Sequence, residues 1–191
     1  MSKKLQLAFS ERRIRKRIYR MYARFRPYHL IGAIGGFLTV LTAIISLAVF
    51  TSYYISVEWV IIVNMLLIGS NGLIATYFFG AFSASRDSLI KVGSLIAGIG
   101  LGFNVLISIL QMAGVYVFVL ALLGALVMMA GVVIACIKFI MLFQRDAFVV
   151  VFCVFIFLGL LLSLFWTWAS LISGAGLGGL LIYFYVHNIT Y

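Results

Sequence analysis

Four neutral amides interrupt otherwise apolar stretches of the chain: Asn64, Asn71, Asn104 and Gln111. The first two are seven residues apart, and so are the last two. At helical pitch, each pair occupies one face of its own helix. If the stretches flanking Arg86-Asp87 run antiparallel, residues at equal depth have numbers with a nearly constant sum. Asn64 is then level with Gln111, and Asn71 with Asn104. A second reversal near Ile55 brings Ser46 level with Asn64 and Thr39 level with Asn71. Thr39, Ser46, Asn64, Asn71, Asn104 and Gln111 therefore make two polar layers, one near mid-helix and one toward an end. Such layers have two uses. The side chains can hydrogen-bond across helices and fix register, at roughly 0.6 kcal/mol each. Alternatively, they can line a path for water, an ion or a small neutral solute.

Other chemistry is sparse. A proton or cation path through a membrane ordinarily contains a carboxylate or a histidine at depth. The four acidic residues, Glu11, Glu58, Asp87 and Asp146, all fall at or beyond the ends of apolar runs. His29 and His187 are read as interfacial. Cys136 and Cys153 come out level across the turn at Gln144-Arg145 and are read as packing thiols. A metal would need further ligands beside them, and paired haem ligation would want histidines within the bundle. Paired carboxylates, a phosphate-cradling loop and a Ser-His-Asp set at plausible depth are all missing from the sequence. The expectation is a protein that is not an enzyme, with no catalytic, cofactor-binding or metal-binding residue.

The elements that carry these residues follow from composition. The chain has 191 residues, 65% of them hydrophobic and 9% charged, with a mean hydropathy of +1.24. A soluble core of this size could not bury so much apolar surface. Long apolar runs without strict alternation indicate helices rather than a barrel. The expected fold is an all-α integral membrane protein, a bundle of about six transmembrane helices preceded by a basic amphipathic surface helix. The surface helix occupies 1–27, ending at Pro27, and the bundle 28–191. Spans are expected at about 28–54, 58–83, 89–112, 116–143, 147–168 and 171–187. Trp166 and Trp168 suit an interfacial belt, and Ser170, Ser173 and Gly174 suit a turn. Five spans, with a long re-entrant last segment, is the alternative count.

The net charge of +10 is concentrated near the N-terminus. Arg12, Arg13, Arg15, Lys16, Arg17, Arg20, Arg24 and Arg26 share a helix with an apolar stripe of Leu7, Ile14, Ile18, Met21 and Phe25. This pattern fits a helix on an anionic membrane surface rather than a nucleic-acid arm. Each cation there contributes on the order of 1 kcal/mol. The same charges place the N-terminus, and after six spans the C-terminus, in the cytoplasm, and the cell membrane is the expected location.

Gly32/Gly36, Gly98/Gly102 and Gly174/Gly178 are small-residue pairs four apart that permit close helix packing. The alternation Gly98-Ile99-Gly100-Leu101-Gly102 resembles the glycine helix of rotary ATPase ring subunits. That family needs a buried carboxylate on the partner helix, and Glu58, Asp87 and Asp146 all lie outside mid-membrane, so the resemblance is set aside.

Three functions remain on this reading. The first is a non-catalytic subunit packing through its glycine faces into a larger membrane complex, with other membrane proteins or copies of itself as partners. The second is a small channel or carrier for an uncharged solute. The third is a membrane-shaping protein acting through the basic helix on anionic lipid. Nucleic acid is not an expected partner.

Overall fold

Capping residues define the helix ends. Asp87 accepts from the backbone N–H groups of Leu89 (3.0 Å) and Ile90 (3.2 Å), satisfying two donors that the start of a helix leaves open. At the other end of that helix, Gly114 adopts φ +79°. The Gly114 N–H donates to the Gln111 carbonyl (3.0 Å) and the Val115 N–H to the Leu110 carbonyl (2.9 Å). This pair of bonds is a Schellman motif, and its left-handed position suits glycine.

The computed structural model describes residues 3–51, 56–115, 118–143, 146–163 and 169–187, with side chains from Arg26 onward except Phe50. Six helices lie in this range: α1 (Lys3–Thr51), α2 (Val57–Ala84), α3 (Ser88–Met112), α4 (Phe118–Leu142), α5 (Ala147–Ser163) and α6 (Ser170–His187). There is no strand among the described residues. Five segments are long and apolar enough to cross a membrane: Arg26–Val49 within α1, then α2, α3, α4 and α6. The described part of α5 has 17 residues, at the short end of what a span requires.

Two boundaries differ from the sequence reading. The basic segment does not stop at Pro27, because α1 is helical from Lys3 to Thr51 with Pro27 inside it. Proline removes one N–H and crowds one carbonyl, which ordinarily bends a helix without requiring it to end. Ser173 and Gly174 belong to α6 rather than to a turn, with Ser170 as the first residue of that helix. Trp166 and Trp168 lie outside the described residues, as do the side chains from Arg12 to Arg24.

Each helix packs on its neighbours in sequence, and α1 also packs on α6. The six helices therefore form a closed ring. Short reversals make neighbouring helices antiparallel, so the turns alternate between two ends. The 85–87 turn, Asp146 and His187 share one end, and Gly114 marks the other. Near the Asp87 end the ring is filled. Tyr77, Phe78, Ile90, Cys136, Phe139, Val149, Cys153, Leu181 and Phe184 are buried there in one cluster. Edge-to-face contacts of Phe184 with Phe139 (5.4 Å between centroids) and of Tyr77 with Phe78 (5.1 Å) help to fill it.

Glycines set the distances in the ring. A Cβ on Gly36 would lie 2.6 Å from the Gly178 backbone nitrogen, and one on Gly174 would lie 2.9 Å from the Gly36 carbonyl. Three of the four expected glycines on α1 and α6 thus touch one another's backbones, and Gly32 packs against Leu181 and Tyr77. The Gly98/Gly102 pair behaves differently. Gly98 lies under the Phe79 ring of α2, whereas Gly102 is exposed with nothing within 4 Å. Close approach of α3 and α4 runs instead through Gly93, Gly100 and Gly131. Gly102 is on α3's outer face, so it joins no seam of this ring.

Candidate functional site

Toward the Gly114 end the ring is hollow. A chamber of about 320 Å³ is lined by residues of all six helices. A second, of about 440 Å³, adjoins it, and both are bordered by Thr39, Leu67, Gln111, Ser163 and Ser170. Volumes of a few hundred Å³ are typical of small-molecule sites. Neither chamber is sealed, so water, lipid or a solute can enter from outside the bundle.

The structure places all six polar residues singled out in the sequence on these walls. Thr39, Asn71, Asn104 and Gln111 line the deeper chamber. Thr39, Ser46, Asn64 and Gln111 line the outer one. Several further polar residues join them: Thr42 in the outer chamber, Ser108 and Ser173 in the deeper one, Ser163 and Ser170 in both. Their positions carried a signal. Thr42 falls between Thr39 and Ser46 on one helix face, and Ser108 between Asn104 and Gln111.

Helical geometry decides which hydrogen bonds remain to be made. Serine and threonine in an apolar setting donate to a carbonyl one turn back. Thr39 donates to Gly35 (3.0 Å), Thr42 to Leu38 (2.7 Å), Ser108 to Asn104 (3.0 Å) and Ser173 to Ser170 (3.1 Å). Their donors are thereby engaged, and each hydroxyl oxygen keeps acceptor capacity. Asn64 likewise donates to the Val60 carbonyl at 2.9 Å. Asn104 donates to the Met128 sulfur at 3.7 Å, a weak bond. The side-chain amides of Asn71 and Gln111 border the chamber with no hydrogen bond to a described residue. The cavity thus offers acceptors from hydroxyls and both donors and acceptors from amides.

No charged side chain borders either chamber among the described residues. Charges gather instead at the Asp87 end. Lys138 reaches Asp87 at 3.0 Å. This bond, ahead of the backbone N–H groups, holds the Asp87 carboxyl below the usual carboxylate range. The Tyr183 hydroxyl donates to Asp146 at 2.6 Å, and the Arg26 guanidinium lies over the Tyr185 ring, 4.6 Å from its centroid.

His29 is fully buried between helices, near the start of the apolar segment Arg26–Val49, rather than exposed. Its ring packs between Tyr77 (5.8 Å) and Phe184 (5.6 Å) in the filled part of the ring. Because α1 continues without a break through Pro27, its first buried turn is carried into the bundle. His187 is exposed, with Nδ1 3.1 Å from the Tyr183 carbonyl oxygen. Cys136 and Cys153 are both buried, on facing sides of α4 and α5. Among the described residues no three of His, Cys, Asp and Glu come together as a metal set.

Among the described residues the geometry is a chamber lined by neutral hydrogen-bonding and apolar side chains above a packed floor. No protein-family model, curated protein or solved structure matches the chain.

Proposed function

We propose that the protein is a six-spanning membrane protein that binds an uncharged small molecule in the central cavity and passes it across the bilayer. The observation that carries this reading is the two-chambered cavity itself, with the side-chain amides of Asn71 and Gln111 making no hydrogen bond among the described residues. In hydrocarbon an unmet amide is costly. Positions that keep one facing a cavity, where leucine would pack more simply, imply a ligand or water that uses it. The lack of a charged group on the walls among the described residues favours a neutral solute.

The accessory-subunit reading rests on the near-absence of loops, with packing through glycine faces and a broad apolar surface. Of those faces, the one at Gly36, Gly174 and Gly178 is occupied inside the chain, whereas Gly102 stays open on the outer face of α3. The central cavity is what favours the carrier.

The orientation we favour follows from charge. Arg26, Arg86, Lys91 and Lys138 are all near the Asp87 end, as is the basic stretch of α1. By the positive-inside rule that end faces the cytoplasm, where the arginines from Arg12 to Arg26 would hold anionic lipid. The cavity then opens toward the opposite side. Among the described residues the only charge at that end is Glu58.

The test is flux of neutral solutes from liposomes containing the purified protein. Wild-type protein should release glycerol or a long-chain alcohol faster than empty liposomes do, and the Asn71→Leu/Asn104→Leu variant should not. Equal release by both proteins, with neither solute bound, would remove the reading.

A further inference from the structure

The deeper chamber has two unlike walls. There α1, α2, α3 and α6 contribute Thr39, Asn71, Asn104 and Ser173, while α4 and the middle of α5 contribute Met128, Val132, Ile156 and Leu160. Polar groups other than Ser163 therefore lie on one side of any occupant, interleaved with apolar residues such as Ile74 and Leu101, and the other side is apolar. Water would fill such a space poorly. At about 30 Å³ apiece the deeper chamber has room for roughly ten molecules, each wanting two to four polar partners. Below Ser163 the α4–α5 wall offers only the Met128 sulfur, a weak acceptor already taken by Asn104.

The aliphatic wall coincides with the thinnest seam of the ring. Of the six adjoining pairs, α4 and α5 touch least. They are also the pair with no glycine in close approach among the described residues. Gly35 and Gly80 serve α1–α2, Gly98 serves α2–α3, and Gly131 serves α3–α4. Gly159 serves α5–α6, and Gly36 serves α1–α6. Lipid tails are as apolar as leucine, so helices in a bilayer are held by close packing rather than by the hydrophobic effect. A seam without close approach is the one that parts most readily. Its neighbours on the outside, such as Val154 and Leu158, are exposed aliphatic side chains.

Resting on the carrier reading above, we propose that the ligand is a membrane-borne amphiphile with a single aliphatic tail and a small uncharged head bearing O–H groups. The head lies at Asn71 and Asn104, and the tail lies against α4 and α5, exchanging with lipid through their seam. A hydroxyl head matches the wall because it can donate to Thr39, Ser108 and Ser173 and accept from Asn71. A tail meets the aliphatic wall without asking it for hydrogen bonds.

The experiment uses the full chain in liposomes with two hexadecanol probes, one carrying a diazirine at the tail end and one beside the hydroxyl. After irradiation, labelled residues are mapped by peptide mass spectrometry. The tail probe should mark Met128, Val132, Ile156 or Leu160, and the head probe should mark α2 and α3 around Asn71 and Asn104. Hexadecanol at about ten times its own Kd should lower this cavity labelling about tenfold, because it competes for the same amides. Excess hexadecane should not, and labelling of Val154 and Leu158 should be unchanged by either. This comparison needs no variant, and Asn71→Leu/Asn104→Leu should reproduce the loss. Labelling confined to the lipid-facing residues, or head and tail labels in the reverse arrangement, would overturn the proposal. Glycerol flux that depends on Asn71 without cavity labelling would also overturn it while leaving the carrier reading intact. Loss of both flux and labelling would remove the two together.

Discussion

Lys138 Nζ on α4 lies 3.0 Å from Asp87 Oδ2, the carboxylate that caps α3. One residue thus both starts a helix and ties that helix to its neighbour. The lysine lowers the Asp87 pKa, with Leu89 and Ile90 N–H groups adding to the effect. A carboxyl whose pKa is lower folded than unfolded adds stability above its unfolded value, which is lost as pH falls through the folded one. Wild-type protein should therefore melt above Lys138→Met at neutral pH. The gap in Tm should hold down to about pH 5 and close below about pH 4. Thermal unfolding in detergent across that range checks this, and a gap that widens in acid would contradict it.

Glycine substitutions should separate the seams from the outer surface. Gly36→Ala puts a methyl 2.6 Å from the Gly178 backbone, which cannot rotate away. The two helices must move apart, at a cost of about 1–3 kcal/mol. Gly102→Ala meets nothing within 4 Å and should stabilise the helix by up to about 1 kcal/mol. Unfolding of both variants in the same detergent measures the difference, and equal effects would mean that Gly36 does not pack as described.

The amides should contribute more to binding than to folding. Asn71→Leu removes a side chain with no hydrogen bond to a described residue and places apolar volume in a chamber. Its Tm without ligand should equal or exceed that of wild type, while solute binding is lost. A fall in Tm for Asn71→Leu beyond that of a surface substitution would point to a structural role for the layer.

The thiols should be unreactive while the protein is folded. Cys136 and Cys153 are buried against each other in the filled part of the ring, where a thiolate is poorly solvated. A water-soluble maleimide should modify neither in mild detergent and both after denaturation in dodecyl sulfate. Rapid modification of the folded protein would show that the α4–α5 seam opens as far as its packed half.

Much of the architecture can be read along the chain because its signals are local. Apolar runs, the Asp87 cap and the Ala113-Gly114 turn each act within a few residues, and they delimit α2, α3 and α4 closely. Pro27 misled because its local effect on a helix is to remove one bond, and a helix long enough to continue on both sides tolerates that. The burial of His29 is not legible in the same way. A histidine near the start of an apolar run can face outward or inward, and only the packing of other helices encloses it beside Tyr77 and Phe184.

Spacing by itself determined which side chains share a helix face, and it paired Asn64 with Gln111 and Asn71 with Asn104, which border the outer and the deeper chamber respectively. That follows from helical pitch and from short antiparallel turns, both of which the order of residues dictates. Only the tertiary structure decided that α1 closes on α6, that the ring is filled at the Asp87 end and hollow at the other, and that α4 and α5 supply an aliphatic wall. These depend on how closely helices distant in sequence can approach. That distance is set by which glycine meets which backbone, and periodicity within one helix contains no information about its partner.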